Sequence, residues 1–228
     1  MVLKSTFAFV AVATLALFSG APQAEAHSWA DCIDWKFKDP KKPSWNDDGG
    51  HCTGYARRYP VSLNMPFGTQ DKIYRYYQQD ADPRVALPCN NRNDGYGSNE
   101  TRANPVSEAY GGKFGRMTVT TVGDTLCVRW PAKNHAFPQY LIDRYVQINL
   151  SPVRNGKDIT QMELLQNTVA KLDFANCMPG ADIDHKACGG CFKVPRRAPG
   201  TYFLQWRWML NQGQWYASCA DIKINKKK

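Results

Sequence analysis

Thr201-Tyr-Phe-Leu-Gln-Trp-Arg-Trp-Met-Leu210, then Asn211-Gln-Gly213, then Gln214-Trp-Tyr-Ala-Ser-Cys-Ala-Asp-Ile-Lys-Ile224 reads as a long β-hairpin. Tyr202, Leu204, Trp206, Trp208 and Leu210 recur at every second position, the period at which side chains share one face of a strand. Asn211-Gln212-Gly213 supplies the turn, and the return strand runs to Ile224. Further upstream, Met117, Val119 and Thr121 alternate before Gly123-Asp124, and Leu126, Val128 and Trp130 alternate after it, which predicts a second strand pair. Tyr145 to Leu150 reads as another strand. Thr160-Gln-Met-Glu163 is a capping box, and Leu164, Leu165, Val169 and Leu172 behind it predict one short helix ending before Cys177. Residues 27 to 115 are rich in Gly, Pro, Asn and Asp and read as long loops with short strands. Many short strands and little helix predict a mainly β fold, an immunoglobulin-like or fibronectin-like β-sandwich with one or two short helices and about four disulfides.

The amino-terminal end carries a different signal. Lys4, the apolar run Phe7 to Phe18 and the small-x-small triplet Ala24-Glu25-Ala26 have the make-up of a secretory signal peptide over residues 1–26. Cleavage there leaves 27–228 as a single domain of 202 residues, beginning His27-Ser28-Trp29 and ending in a short basic tail. All eight cysteines fall in that part, and an even count in an exported chain reads as four disulfides in one of 105 pairings. Cys188-Gly-Gly-Cys191 has metal-site spacing, but with no second such pair disulfide partnership is the stronger reading. Asn99-Glu-Thr101 is a glycosylation sequon in a polar stretch, whereas Asn149-Leu-Ser151 lies in an expected strand and is discounted. No second apolar run is long enough to span a membrane, so the expected product is secreted and extracellular.

The net charge of +9 calls for an acidic partner. The basic residues are scattered and form no nucleic-acid-binding signature, so export makes an acidic polysaccharide the expected one, with no nucleic acid and no membrane. A free amino-terminal histidine can chelate one metal through its α-amine and ring Nδ1, which no internal histidine can do. Among the other three histidines, His135 is favoured because it sits in a loop just past a strand end, where a scaffold can present a ligand. His51 is next to Cys52, and His185 lies between charged residues. In the last hairpin, Gln214 and Tyr216 share a face while Trp215 points away. Core packing explains that pair as well as a metal site does, unless the face meets His27 and His135.

Those elements together, His27 after the signal, the Trp130-…-His135 loop and the terminal Gln214-x-Tyr216-x-x-Cys219 strand, resemble the lytic polysaccharide monooxygenases. His27-Ser-Trp-Ala-Asp-Cys32 and Trp215-Tyr-Ala-Ser-Cys219 are most similar to the small, basic oomycete members that act on pectin. The resemblance implies one copper ion held by His27 through amine and Nδ1 and by His135, with Tyr216 axial and Gln214 hydrogen-bonding beside it. It further implies an external electron donor, O2 or H2O2, and oxidative cleavage of glycosidic bonds in a polysaccharide such as homogalacturonan, by a monomer. Three nitrogens and no thiolate set suit copper on ligand chemistry. Where some fungal relatives carry a histidine on the penultimate strand, this chain has Gln205, Arg207 and Met209.

Trp29, Tyr55, Arg57, Arg58, Tyr59 and Arg75 interleave rings with guanidiniums, which fork onto carboxylates, and are candidates for the substrate surface. Packing of these rings onto the sandwich is the competing reading. A hydrolase would need two suitably spaced carboxylates, and Asp47-Asp48 and Asp182/Asp184 do not offer them. Two further readings compete: a secreted histidine-brace copper-binding protein without oxygenase activity, and a disulfide-stapled interaction protein indifferent to copper.

Overall fold

The terminal hairpin organises the fold. In the computed structural model, which describes residues 28–46, 49–57, 77–79, 82–84, 87–89, 117–135, 143–153, 159–178 and 186–227, Gly200–Asn211 pairs antiparallel with Gln214–Asn225. Gly213 takes φ 76°, a conformation that costs a glycine little and closes the turn. The alternation holds: Tyr202, Leu204, Trp206, Trp208 and Leu210 all enter the main core. Two of them face small residues, with Ser218 opposite Trp206 and Ala220 opposite Leu204. Small residues across from large ones let the second layer approach closely.

In chain order the strands are β1 (Trp35–Phe37), β2 (Gly50–Cys52), β3 (Tyr77–Gln79), β4 (Thr118–Thr121), β5 (Thr125–Pro131), β6 (Tyr145–Leu150), β7 (Thr168–Asp173), β8 (Ala187–Lys193), β9 (Gly200–Asn211) and β10 (Gln214–Asn225). One layer is a six-stranded sheet in the order β3-β10-β9-β6-β7, with β4 lying parallel to the far end of β10. The facing layer is the antiparallel ribbon β5–β8, and β1–β2 forms a third, small ribbon. Leu126, Val128 and Trp130 of β5 meet Val146, Ile148, Trp206 and Trp208 between the layers. This is the mainly β, immunoglobulin-like sandwich that the strand pattern predicts. Among the described residues, no helix is long and apolar enough to cross a membrane.

Two local expectations are corrected. The segments around Gly123-Asp124 are not partners: β4 joins β10 and β5 joins β8, so the turn carries the chain from one layer to the other. Within β4, Thr118 and Thr120 are the buried side chains and Val119 is exposed. The predicted helix is also shorter. α1 (Gln161–Leu165) has its capping box, with Thr160 and Glu163 bonding each other's backbone, but Val169 and Leu172 belong to β7. The β-branched Thr168 and Val169 and an open edge of β6 favour strand there.

All eight cysteines form disulfides, as 32–52, 89–219, 127–191 and 177–188. That density fits an oxidising compartment. The cysteines of Cys188-Gly-Gly-Cys191 each bond a different strand or loop. Between them, a Cβ at Gly189 would run into the Trp45 ring, and one at Gly190 would meet the Leu172 side chain at 2.8 Å. The two glycines therefore admit an indole on one face and a leucine on the other. Gly189→Val is expected to cost about 1–3 kcal/mol through overpacking, measurable as a lower guanidinium midpoint at unchanged slope.

The outer face of the large sheet is closed by a polar network. Asn149 Nδ2 and Gln161 Nε2 both donate to Gln205 Oε1 at 2.9 Å, and Gln205 Nε2 donates to the Pro88 carbonyl at 3.0 Å. Gln205, Gln161 and Asn149 are buried, so each needs such partners. Gln205 thus belongs to the fold and fastens α1 to the sheet. Asn149, fully buried in β6, sits where a glycan has no room.

Candidate metal centre

His135 is the last residue of a 3-10 turn, Lys133–His135, that follows β5 directly. Its backbone N–H donates to the Ala132 carbonyl at 3.1 Å, and Ala132 N–H donates to Lys186 at 3.0 Å, so the turn is anchored on both sides. The imidazole meets the Trp208 indole edge-to-face with centroids 5.3 Å apart. Trp208 is itself immobilised, stacked on Phe174 at 3.8 Å and donating Nε1–H to the Asp143 carbonyl at 2.8 Å. A ring held this way gives His135 a fixed orientation.

Tyr216 lies directly across from Trp208 in the β9–β10 pairing, so His135 and Tyr216 border the same indole. Such opposed side chains stand about 5 Å apart at Cβ. Tyr216 is buried, and its Oη accepts a hydrogen bond from Gln214 Nε2 at 3.3 Å. Asn211 Nδ2 donates to Gln214 Oε1 at 2.6 Å, which fixes which end of the amide faces the phenol. The strand register shifts between Gln214 and Trp215, a bulge that re-aims the Gln214 side chain at the hairpin tip. The same-face expectation for Gln214 and Tyr216 agrees with this contact.

The segment beginning at Ser28 threads between the elements that carry His135 and Tyr216. Ser28 Oγ–H donates to the Pro131 carbonyl at 2.7 Å, four residues before His135. Ala30 N–H donates to Ser218 Oγ at 2.9 Å, two residues after Tyr216. Asp31 N–H donates to the Arg129 carbonyl, and the Asp31 carboxylate takes the buried Arg129 guanidinium, which also covers the Trp35 ring at 3.8 Å. Ser28 and Trp29 are both 0 % exposed. The chain is thus pinned by the second residue after the expected cleavage point.

Lys133 opens the His135 turn with φ 53°, the one positive φ outside glycine among the described residues. Holding a side chain there costs about 1–3 kcal/mol. Its Nζ lies 5.7 Å from the centroid of the Trp29 ring.

Several expected site residues stand elsewhere. Trp29 is buried in the main core, so its ring is not a surface for sugar. Arg57 is also fully buried, with Nε and Nη2 bonding both oxygens of Asp221 at 2.9 and 2.7 Å, so it is a structural cation. Burial in the ion pair overrides the exposed placement expected of an arginine. Tyr55 is half-buried with its hydroxyl near the Cys52 carbonyl. His51 is exposed on β2. His27, Arg58, Tyr59, Arg75, His185 and Asn99 lie outside the described residues. On β9, Arg207 stacks on Trp215 at 3.6 Å; burial pushes its guanidinium down to about 10, against the pull of Asp143, and leaves it cationic at neutral pH.

Among the described residues no three His, Cys, Asp or Glu side chains gather around one point. The His135 imidazole and Tyr216 flank the same Trp208 indole, beside the entry of residue 28. With every cysteine in a disulfide, no thiolate joins them. Such nitrogen and oxygen donors fit copper better than they fit a thiolate-preferring metal. Trp208, Phe174, Ser28 and Lys133 were not singled out by sequence reasoning; the Trp208 alternation placed it in the core without showing what it touches.

No family model and no curated protein matches the chain. Solved structures similar to it include an AA10 lytic polysaccharide monooxygenase from Streptomyces lividans, at 15% identity over 74% of this chain and 95% of that one, with a TM-score of 0.45. Another is an AA10 lytic polysaccharide monooxygenase from Photorhabdus luminescens, at 9% identity over 75% and 95%, TM-score 0.41. A third is the Bacillus amyloliquefaciens CBM33 in complex with Cu(I), at 10% identity over 75% and 96%, TM-score 0.40.

Proposed function

We propose that the protein is a secreted copper-dependent lytic polysaccharide monooxygenase that cleaves an acidic plant polysaccharide, with homogalacturonan as the substrate. The observation that carries this reading is the threading of residues 28–30 between the His135 turn and the Tyr216 strand. His27 is one peptide bond from Ser28, so covalent geometry limits its Cα to about 3.8 Å from that of Ser28. In this reading His27 supplies a terminal amine and Nδ1, and His135 the second imidazole. Tyr216, whose hydroxyl accepts from Gln214, would offer an oxygen beside them. Copper, when bound there, supplies the one-electron chemistry with O2 or H2O2 and an external reductant.

The chain's own contribution is geometric and electrostatic. Trp208 and Phe174 form an apolar wall that orients the His135 ring and keeps water from its flank. Gln214 directs an N–H at the Tyr216 oxygen, so the phenol proton points away from Gln214. The +9 charge draws a polyuronate toward the surface, an attraction that weakens as salt is added.

The test is to incubate copper-loaded protein and ascorbate with pectin, cellulose and chitin, and to analyse the oligosaccharides by mass spectrometry. Oxidised oligogalacturonides that disappear in His135→Ala are expected. Oxidised products from cellulose or chitin alone would overturn the substrate assignment. Tight copper binding with no product from any of the three would favour the copper-binding protein without oxygenase activity.

A further inference from the structure

Lys133 occupies a backbone conformation that suits glycine, and it is 8 % exposed, although lysine is among the side chains least often buried. Both features need a compensating contact, because a strained residue persists only where its surroundings hold it. One such contact is the Trp29 ring, which lies within cation–π reach of Nζ and is wholly shielded from water. Trp29 and Lys133 belong to the two segments that flank the candidate centre: Trp29 follows Ser28, and Lys133 begins the turn that ends at His135. We propose that Lys133 is a positioning residue: its ammonium on Trp29 ties the amino-terminal segment to the turn carrying His135 and so sets the position of that imidazole. Removing the positive charge releases the turn. Relieving the backbone strain alone does not restore it.

The metal arm of the test rests on the copper reading above; the exchange arm does not. In metal-free protein, amide hydrogen exchange by NMR reports on the His135 N–H that bonds Ala132. Lys133→Met is expected to speed that exchange about tenfold, the scale of one desolvated cation–π contact, with amides of the β9–β10 hairpin unchanged. Lys133→Gly, which accepts the positive φ, is expected to speed it as well, and Lys133→Arg to restore slow exchange. With copper, Lys133→Met and Lys133→Gly are expected to bind Cu(II) about tenfold more weakly by calorimetry and to change its electron paramagnetic resonance hyperfine pattern. Wild-type exchange in Lys133→Gly would show that strain matters and the tie does not, and would overturn the proposal. So would unchanged exchange in Lys133→Met. If the exchange arm behaves as expected and the wild-type protein does not bind copper, the copper reading fails and the tie stands.

Discussion

A mature chain acetylated at the His27 α-amine is expected to lose Cu(II) affinity by more than the roughly 10–100-fold that a merely supporting group controls. Acetylation turns the α-amine into an amide, which has no basic lone pair at neutral pH. With no free amine left, the ring Nδ1 loses its chelate partner, and a two-point attachment becomes a one-point one. His135→Ala, which removes the imidazole set against Trp208, is expected to match that loss. Tyr216→Phe and Gln214→Ala keep the nitrogen donors and are expected to stay within the 10–100-fold range. Calorimetry on protein begun at His27, alongside the acetylated form, measures all four. A nitrogen-rich axial resonance signal in the unmodified protein and its loss in the first two variants would agree. Equal affinity in the acetylated and unmodified proteins would rule the terminal amine out as a ligand.

The second large effect concerns stability. Asp221→Ala is expected to destabilise the fold by about 3–5 kcal/mol, the cost of leaving a buried cation without its partner. Arg57 and Asp221 are 0 % and 2 % exposed, and the pair is bidentate. Arg57 also lies over the Phe203 ring at 5.0 Å, and its backbone N–H donates to the carbonyl of Cys219, one half of the 89–219 disulfide. With Asp221 gone, the guanidinium has no water to turn to. For a chain of this size the loss corresponds to a melting temperature about 6–20 °C lower. Replacing both members with apolar residues, as in Arg57→Met with Asp221→Leu, is expected to recover most of it, since the charges leave together. Thermal unfolding of the two variants distinguishes these outcomes. A double variant as unstable as the single one would mean that Arg57 matters through packing and not through charge.

Arg57 also shows the limit of local reading. Between Tyr55 and Tyr59 it looks like one guanidinium in an exposed aromatic and basic cluster. Its partner is 164 residues away, and nothing near either residue announces the other. Trp29 misleads for the same reason: a tryptophan next to the expected amino terminus suggests a surface, and the β5–β10 framework folds over it. The turn at Gly123-Asp124 was recognisable, but hairpin pairing was inferred from closeness in sequence. The free edges of β10 and β8 captured the two strands instead. Helical spacing through Val169 and Leu172 likewise gave way to the edge of β6.

What the sequence determined by itself are the features written in spacings of two to four residues. The alternation of β9, the turn at Gly213, the capping box at Thr160 and the shared face of Gln214 and Tyr216 follow from backbone geometry that neighbouring residues impose on one another. The even cysteine count announced four cross-links without choosing among their pairings. Tertiary structure decided which strands meet, which cations are buried, why Lys133 has a positive φ and how His135 comes to rest on Trp208. Ser28 reaches Pro131 across 103 positions and Ala30 reaches Ser218 across 188. Contacts over such distances exist only once the two layers have closed, because the burial that holds them is supplied by the whole core.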